Sequence, residues 1–131
     1  MRVRALLIGA FALAGCAAET WVTPGTGWSR ASDLSVYGAM DIYGEAAREQ
    51  AILCQGFAPA GVAADWARDF GAREAAVAAA LAARHGEAAL AEADAAAVAS
   101  RRIACAELPD GRWRRHYARL LRLLETRLGL A

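Results

Sequence analysis

This sequence predicts an all-α fold, a small antiparallel bundle of three or four helices joined by a disulfide. Apolar residues recur at intervals of three and four, the repeat of one helix face. No segment sustains the period-two alternation of a half-buried strand. Of the 131 residues, 36 are Ala, the best helix former and a side chain that contributes little burial. The core is therefore expected to be built largely from small side chains.

Four helical stretches follow one another after residue 31. Ser32 or Asp33 suits the N-cap of the first, and Val36, Met40, Tyr43, Ala47, Ala51 and Cys54 then share one face. The second starts near Pro59, a favoured first-turn residue, and carries Val62, Trp66, Phe70, Val77 and Leu81 on one stripe. Gly86 ends it after His85, and Gly71 is a point where it can kink or split. The third, from Glu87 to about Ala106, is helical by propensity, with Leu90, Val98 and Cys105 as its best apolar face. Pro109 and Asp110 mark the next break. The fourth is the clearest: Trp113, Tyr117, Leu120, Leu124 and Leu128, flanked by Leu121, make an apolar stripe. Arg112, Arg115, Arg119 and Arg122 make a basic stripe on another side.

Charge is unevenly distributed. The chain has no Lys, so there is no amine for Schiff-base or P-loop chemistry. Residues 17–100 hold 5 Arg against 11 acids, net −6, whereas residues 101–131 hold 8 Arg against 3 acids, net +5. The near-neutral total argues against nucleic acid as a partner. The basic last helix either lies against acidic neighbours or offers Arg112, Arg115, Arg119 and Arg122 to a protein partner or anionic lipid.

The first residues have the pattern of an export signal. Met1-Arg2-Val3-Arg4 is basic, and Ala5 to Ala14 is an apolar run of 10 residues. Such a run is too short to span a bilayer but has the length of a signal-peptide h-region. It ends in Leu13-Ala14-Gly15-Cys16, which resembles the lipobox of bacterial lipoproteins. That resemblance covers residues 1–16 alone. It implies that the Cys16 thiol takes a diacylglycerol, that the chain is cut before Cys16, and that the mature protein is lipid-anchored to a membrane facing the periplasm. Ala17 in place of Asp after the Cys points to the outer membrane. The expected organisation is a signal peptide at 1–15, a lipid-anchored flexible linker at 16–31 and a helical domain at 32–131. The linker is rich in Thr, Gly and Ser. A flexible segment of ~15 residues spans about 20 Å r.m.s.. Trp21 and Trp28 lie within it, either at the membrane interface or against the domain.

With Cys16 lipidated, Cys54 and Cys105 remain, and an oxidising compartment favours their pairing. In an up-down-up topology the first and third helices end on the same side, where both cysteines stand. A metal site joining them to His85 or His116 lacks zinc-motif spacing. Met40 and His116 as axial ligands of a haem would sit too far apart along an antiparallel bundle. We therefore expect no metal and no cofactor.

No motif names a reaction. Ser29, Ser32, Ser35 and Ser100 stand in no hydrolase motif, and Gly25-Thr26-Gly27 has no strand before it to make a phosphate loop. His116 beside Tyr117 has no orienting acid in the sequence pattern, and His85 reads as a cation at a helix C-terminus. Asp65 and Asp69 read as a solvated face with Arg68 and Arg73 as neighbours. The function expected is therefore not an enzyme but an envelope lipoprotein whose helical domain is structural or meets a protein partner. The alternative is a small-ligand module with a cleft lined by Trp66, Phe70, Trp113 and Tyr117.

Overall fold

The structure, a computed structural model, describes residues 27–100, 105 and 111–131, without the side chains of 98–100. The segment 1–15, Cys16, the linker up to residue 26, Trp21, Pro109, Asp110 and the Val98 side chain lie outside the described residues. Among the described residues the structure is all-α. The helices belong to one compact unit, Ala31–Ala131, and Trp28–Arg30 ahead of it forms a single 3-10 turn.

Helix α1 spans Asp33–Leu53. Its N-cap is Ser32, whose hydroxyl accepts the Ser35 N–H at 3.2 Å, and Asp33 in the first turn suits the positive end of the dipole. The chain leaves the helix through Gly56, at φ 75°. Pro59 opens α2 (Pro59–Trp66), a π-helical turn follows over Ala67–Gly71, and α3 covers Ala72–His85. The backbone stays in the right-handed helical region through both junctions, so these three pieces form one rod. The expected weakness at Gly71 is thus a widened turn and not a break. A π turn holds one residue more than an α turn, which changes the phase of everything beyond it. Trp66 and Phe70 both face inward across it, with ring centroids 4.8 Å apart.

Gly86, at φ 89°, ends α3 and is the sole residue before α4 (Glu87–Ser100). The last helix, α5, spans Arg112–Leu128 and is closed by Gly129 at φ 71°. The Leu130 N–H there reaches back to the Glu125 carbonyl at 2.8 Å. A left-handed residue at this position costs Gly no Cβ clash.

Helix α1 is the centre of the bundle, packing on α5 and α4 and touching α2. The inner layer combines Val36, Ala39, Met40 and Tyr43 with Val77 and Leu81 of α3 and Leu121 and Leu124 of α5. The stripe foreseen on α5 is buried at Tyr117, Leu120, Leu124 and Leu128, with Trp113 half-buried, and Arg112, Arg115, Arg119 and Arg122 are exposed. On α4 the buried position is Ala97, while Leu90 is half-buried. Cys54 and Cys105 are joined by a disulfide, Cα–Cα 5.4 Å, which brings the end of α1 and the chain beyond α4 together. Among the described residues no helix is long and apolar enough to cross a membrane.

Candidate functional site

A groove of about 570 Å³ opens where α1, α2 and the start of α5 meet. Its apolar walls are Phe57, Val62, Trp66 and Trp113, with Ala51 and Ala58 between them. Several local features place these groups. The loop after Cys54 leaves Phe57 standing 59 % exposed, beside Leu53 at 67 %. Pro59 starts α2 so that Val62 and Trp66 fall one turn apart on the inner side. Trp113 sits one residue into α5, stacked against Tyr43 at 5.7 Å between centroids.

Trp66 forms the back wall and is only 6 % exposed. Its indole rests on Tyr117 (centroids 4.6 Å), and its Nε1–H donates to Glu74 at 3.4 Å. The Arg48 guanidinium lies over its ring at 4.8 Å and that of Arg114 at 5.7 Å. Both arginines line the groove, together with Gln50, Gln55 and the Asp65 carboxylate. Each is held by an acid at its side, Arg48 by Glu45 and Arg114 by Asp69, both at 2.6 Å. The hydrogen bonds from Arg114 and Arg68 hold the Asp69 carboxyl below its usual range. One such bond leaves most of the five guanidinium N–H groups for another acceptor. The groove thus combines an aromatic floor with a rim of two arginines and one aspartate, each paired with an opposite charge beside it.

A second cleft, about 560 Å³, lies on the far side of Arg48 and Trp66 and includes Tyr37, Glu45 and Glu74. Four carboxylates from three helices gather here: Glu45 of α1 and Glu74 of α3 in the cleft wall, and Asp41 of α1 and Asp94 of α4 near them. Burial pushes the Asp41 carboxyl up to about 7, helped by its hydrogen bond to Asp94 and by the charges of Asp94, Glu45 and Glu74. Burial also raises Tyr37, again with Asp94 as the neighbouring charge. Glu74 accepts a hydrogen bond from the Tyr117 hydroxyl, which, after burial, is what holds that phenol protonated. The Asp41 carboxyl thus stays protonated well above the usual carboxylate range at the α1–α4 contact. Among the described residues no cluster of His, Cys, Asp and Glu has the geometry to hold a metal ion.

Of the four residues expected to line a cleft, Trp66 and Trp113 do so. Phe70 and Tyr117 do not: they are buried behind Trp66, where Tyr117 packs edge-on against Phe70 at 4.8 Å. The widened turn at Ala67–Gly71 is consistent with this, since Phe70 stays on the core side one π turn after Trp66. Arg68 bridges Asp65 at 2.8 Å and Asp69 at 3.1 Å, as a solvated face would. Arg73 is not part of that face, and instead grips Glu125 of α5 through two hydrogen bonds of 2.6 and 2.8 Å. Met40 is core, and His116 packs by Tyr43 with centroids 5.2 Å apart. Sequence reasoning missed Arg48, Phe57 and the carboxylate cluster. A signal for the last was present, an acid pair at i and i+4 on α1 and one acid, Asp94, in an Ala-rich turn of α4.

No family model, no curated protein and no solved structure matches this chain.

Proposed function

We propose that this protein is a lipoprotein of the cell envelope, tethered through Cys16, whose helical domain receives a protein partner in the groove between α1, α2 and α5. The observation that carries the interaction role is the exposed aromatic groove beside the disulfide. Phe57 at 59 % exposure, next to the exposed Leu53 and continuous with the groove's aromatic walls, supports reading this face as a contact surface. Aromatic and Arg side chains together are the composition enriched at interface hot spots. Arg48 and Arg114, each paired with one acid, keep further N–H donors, so the lining suits a partner segment that presents apolar side chains beside a hydrogen-bond acceptor. The tether rests on the lipobox residues Leu13-Ala14-Gly15-Cys16.

A second reading is a small-ligand module. Its support is the size of the groove, which falls within the ~300–1,000 Å³ typical of small-molecule sites. The same walls serve both readings, and occupancy separates them. A ligand module purified under mild conditions carries a small molecule in native mass spectrometry, whereas a protein-binding face crosslinks to a polypeptide.

Growth with a labelled fatty acid tests the tether. Wild-type protein should incorporate label and enter the detergent phase of a Triton X-114 extraction, and Cys16→Ser should do neither. Wild-type protein that stays unlabelled and aqueous refutes the lipoprotein reading.

A further inference from the structure

Trp66 and Tyr117 are both buried, and each carries one polar hydrogen that needs an acceptor there. Glu74 of α3 supplies it for both. The Trp66 Nε1–H donates to Glu74 Oε2 at 3.4 Å, and the Tyr117 hydroxyl donates to the same oxygen. The Trp66 N–H also reaches the Tyr117 hydroxyl, so the three groups close on one another. The backbone explains how Glu74 comes to lie there. Eight residues of plain α-helix would set Glu74 about 80° round the rod from Trp66. The π turn over Ala67–Gly71 absorbs one residue, so the offset falls to about 20°, that of a seven-residue repeat. Glu74 thus shares the face of Trp66, and it stands in the second cleft, on the opposite side of Trp66 from the groove.

We propose that Glu74 is a positioning residue for the groove: by taking both hydrogens on one oxygen it fixes which edge of the Trp66 indole the back wall presents. This rests on the groove reading above. Ring packing alone does not make the choice. Tyr117 and Phe70, at centroid distances of 4.6 and 4.8 Å, and the Arg48 guanidinium over the ring set the plane of the indole. The χ2 torsion of Trp has two broad wells, and stacking contacts accept either way up. The indole has a single polar hydrogen, and a fixed acceptor for it separates the two. The cation on the same wall is held in the same manner, since Arg48 meets Glu45 of the second cleft at 2.6 Å. A segment in the groove therefore meets a wall whose polar members are set from behind it.

One oxygen serves both donors, so an amide oxygen can replace it. Glu74→Gln should behave as wild type, whereas Glu74→Leu has no acceptor. The first readout is solvent exchange of the Trp66 indole N–H, followed by NMR in the isotope-labelled full chain, with the signal identified by its loss in Trp66→Phe. Exchange should quicken about tenfold in Glu74→Leu and stay within about threefold of wild type in Glu74→Gln. If Glu74→Leu does not fold, Glu74→Asp keeps the charge but withdraws the oxygen by one methylene, and should quicken exchange about threefold or more. The second readout is the adduct formed in cells by a photoreactive residue at position 57. It should fall by the same factor as exchange rises and persist in Glu74→Gln. Unchanged exchange or an undiminished adduct in the folded Leu or Asp variant overturns the inference, and so does a Gln variant that behaves like them. No adduct from position 57 of the otherwise wild-type chain sinks the groove reading instead, and the exchange contrast still decides whether Glu74 positions Trp66.

Discussion

The Tyr117 ring lies directly on Gly44. A Cβ built at Gly44 would meet Tyr117 Cδ2 at 3.0 Å and Trp66 Cζ2 at 3.3 Å. This close approach lets α1 and α5 come together around the aromatic cluster that backs the groove. Tyr117 cannot swing away cheaply, because Phe70 and Trp66 flank its ring and Glu74 holds its hydroxyl.

Gly44→Ala should therefore destabilise the protein by about 1–3 kcal/mol, the usual cost of overpacking, despite the better helix propensity of Ala. Gly61→Ala is the matched control. Gly61 lies within α2 with nothing near its Cβ position, so propensity acts alone there, and a gain of about 0.5–1 kcal/mol is expected. Urea unfolding of both variants measures the contrast. A stabilised Gly44→Ala protein would show that the ring can yield.

The disulfide closes a long loop, with a sequence separation of 51. Its removal should cost roughly 4 kcal/mol in the chain-entropy model. Cys54→Ala and Cys105→Ala should each lower the melting temperature equally, and the double variant no further, since each breaks the same bond. Additive losses would mean that each cysteine also contributes separately to packing.

The raised Asp41 carboxyl gives folding a pH dependence of defined sign. Asp41 is raised to about 7 in the folded protein from an ordinary value of 3.8, so the native state binds more protons between those limits. Its stabilising contribution is fully present below the lower value and is lost as pH rises through about 7. The urea midpoint should thus fall between pH 5 and pH 8. Glu125 acts oppositely: its hydrogen bonds to Arg73 lower its carboxyl, and that contribution is lost in more acidic solution, outside this window. Asp41→Asn should flatten the slope from pH 5 to 8. Asp94, Glu45 and Glu74 are the charges that face Asp41, and a slope that survives Asp41→Asn would refute its assignment to Asp41.

Arg73 and Glu125 join α3 to α5 with a two-point contact across 52 positions of sequence. Arg73→Ala leaves the largely buried Glu125 carboxylate without that partner and should cost about 1–3 kcal/mol. Arg68→Ala, on an exposed face, should change the unfolding midpoint by less than about 1 kcal/mol. Equal small effects would reduce the Arg73 pair to a surface contact.

The sequence carried the elements whose signals are local. The α5 stripe, the Ser32 cap, the Gly86 stop and the pairing of Cys54 with Cys105 all follow from spacing, caps and redox chemistry. The contacts of Gly44 and Ala97 did not show, because a small residue announces nothing about what packs on it. Phe70 and Tyr117 were assigned to a cleft wall, since helical spacing tells which face a residue shares but not whether that face meets solvent or another ring. Arg73 was placed with its sequence neighbours because its partner lies 52 residues away. The groove itself depends on the loop that projects Phe57, and loop geometry has no periodicity to read.

The central claim is that the groove is where this domain meets a protein. Its most direct test is site-specific photo-crosslinking in intact cells, with a photoreactive residue in place of Phe57 and, as a control, in place of the exposed Ala83 of α3. The account predicts a discrete polypeptide adduct from position 57, absent from position 83 and abolished when Trp113→Asp is added to a chain that still folds. No adduct from position 57, or the same adducts from both positions, would contradict it.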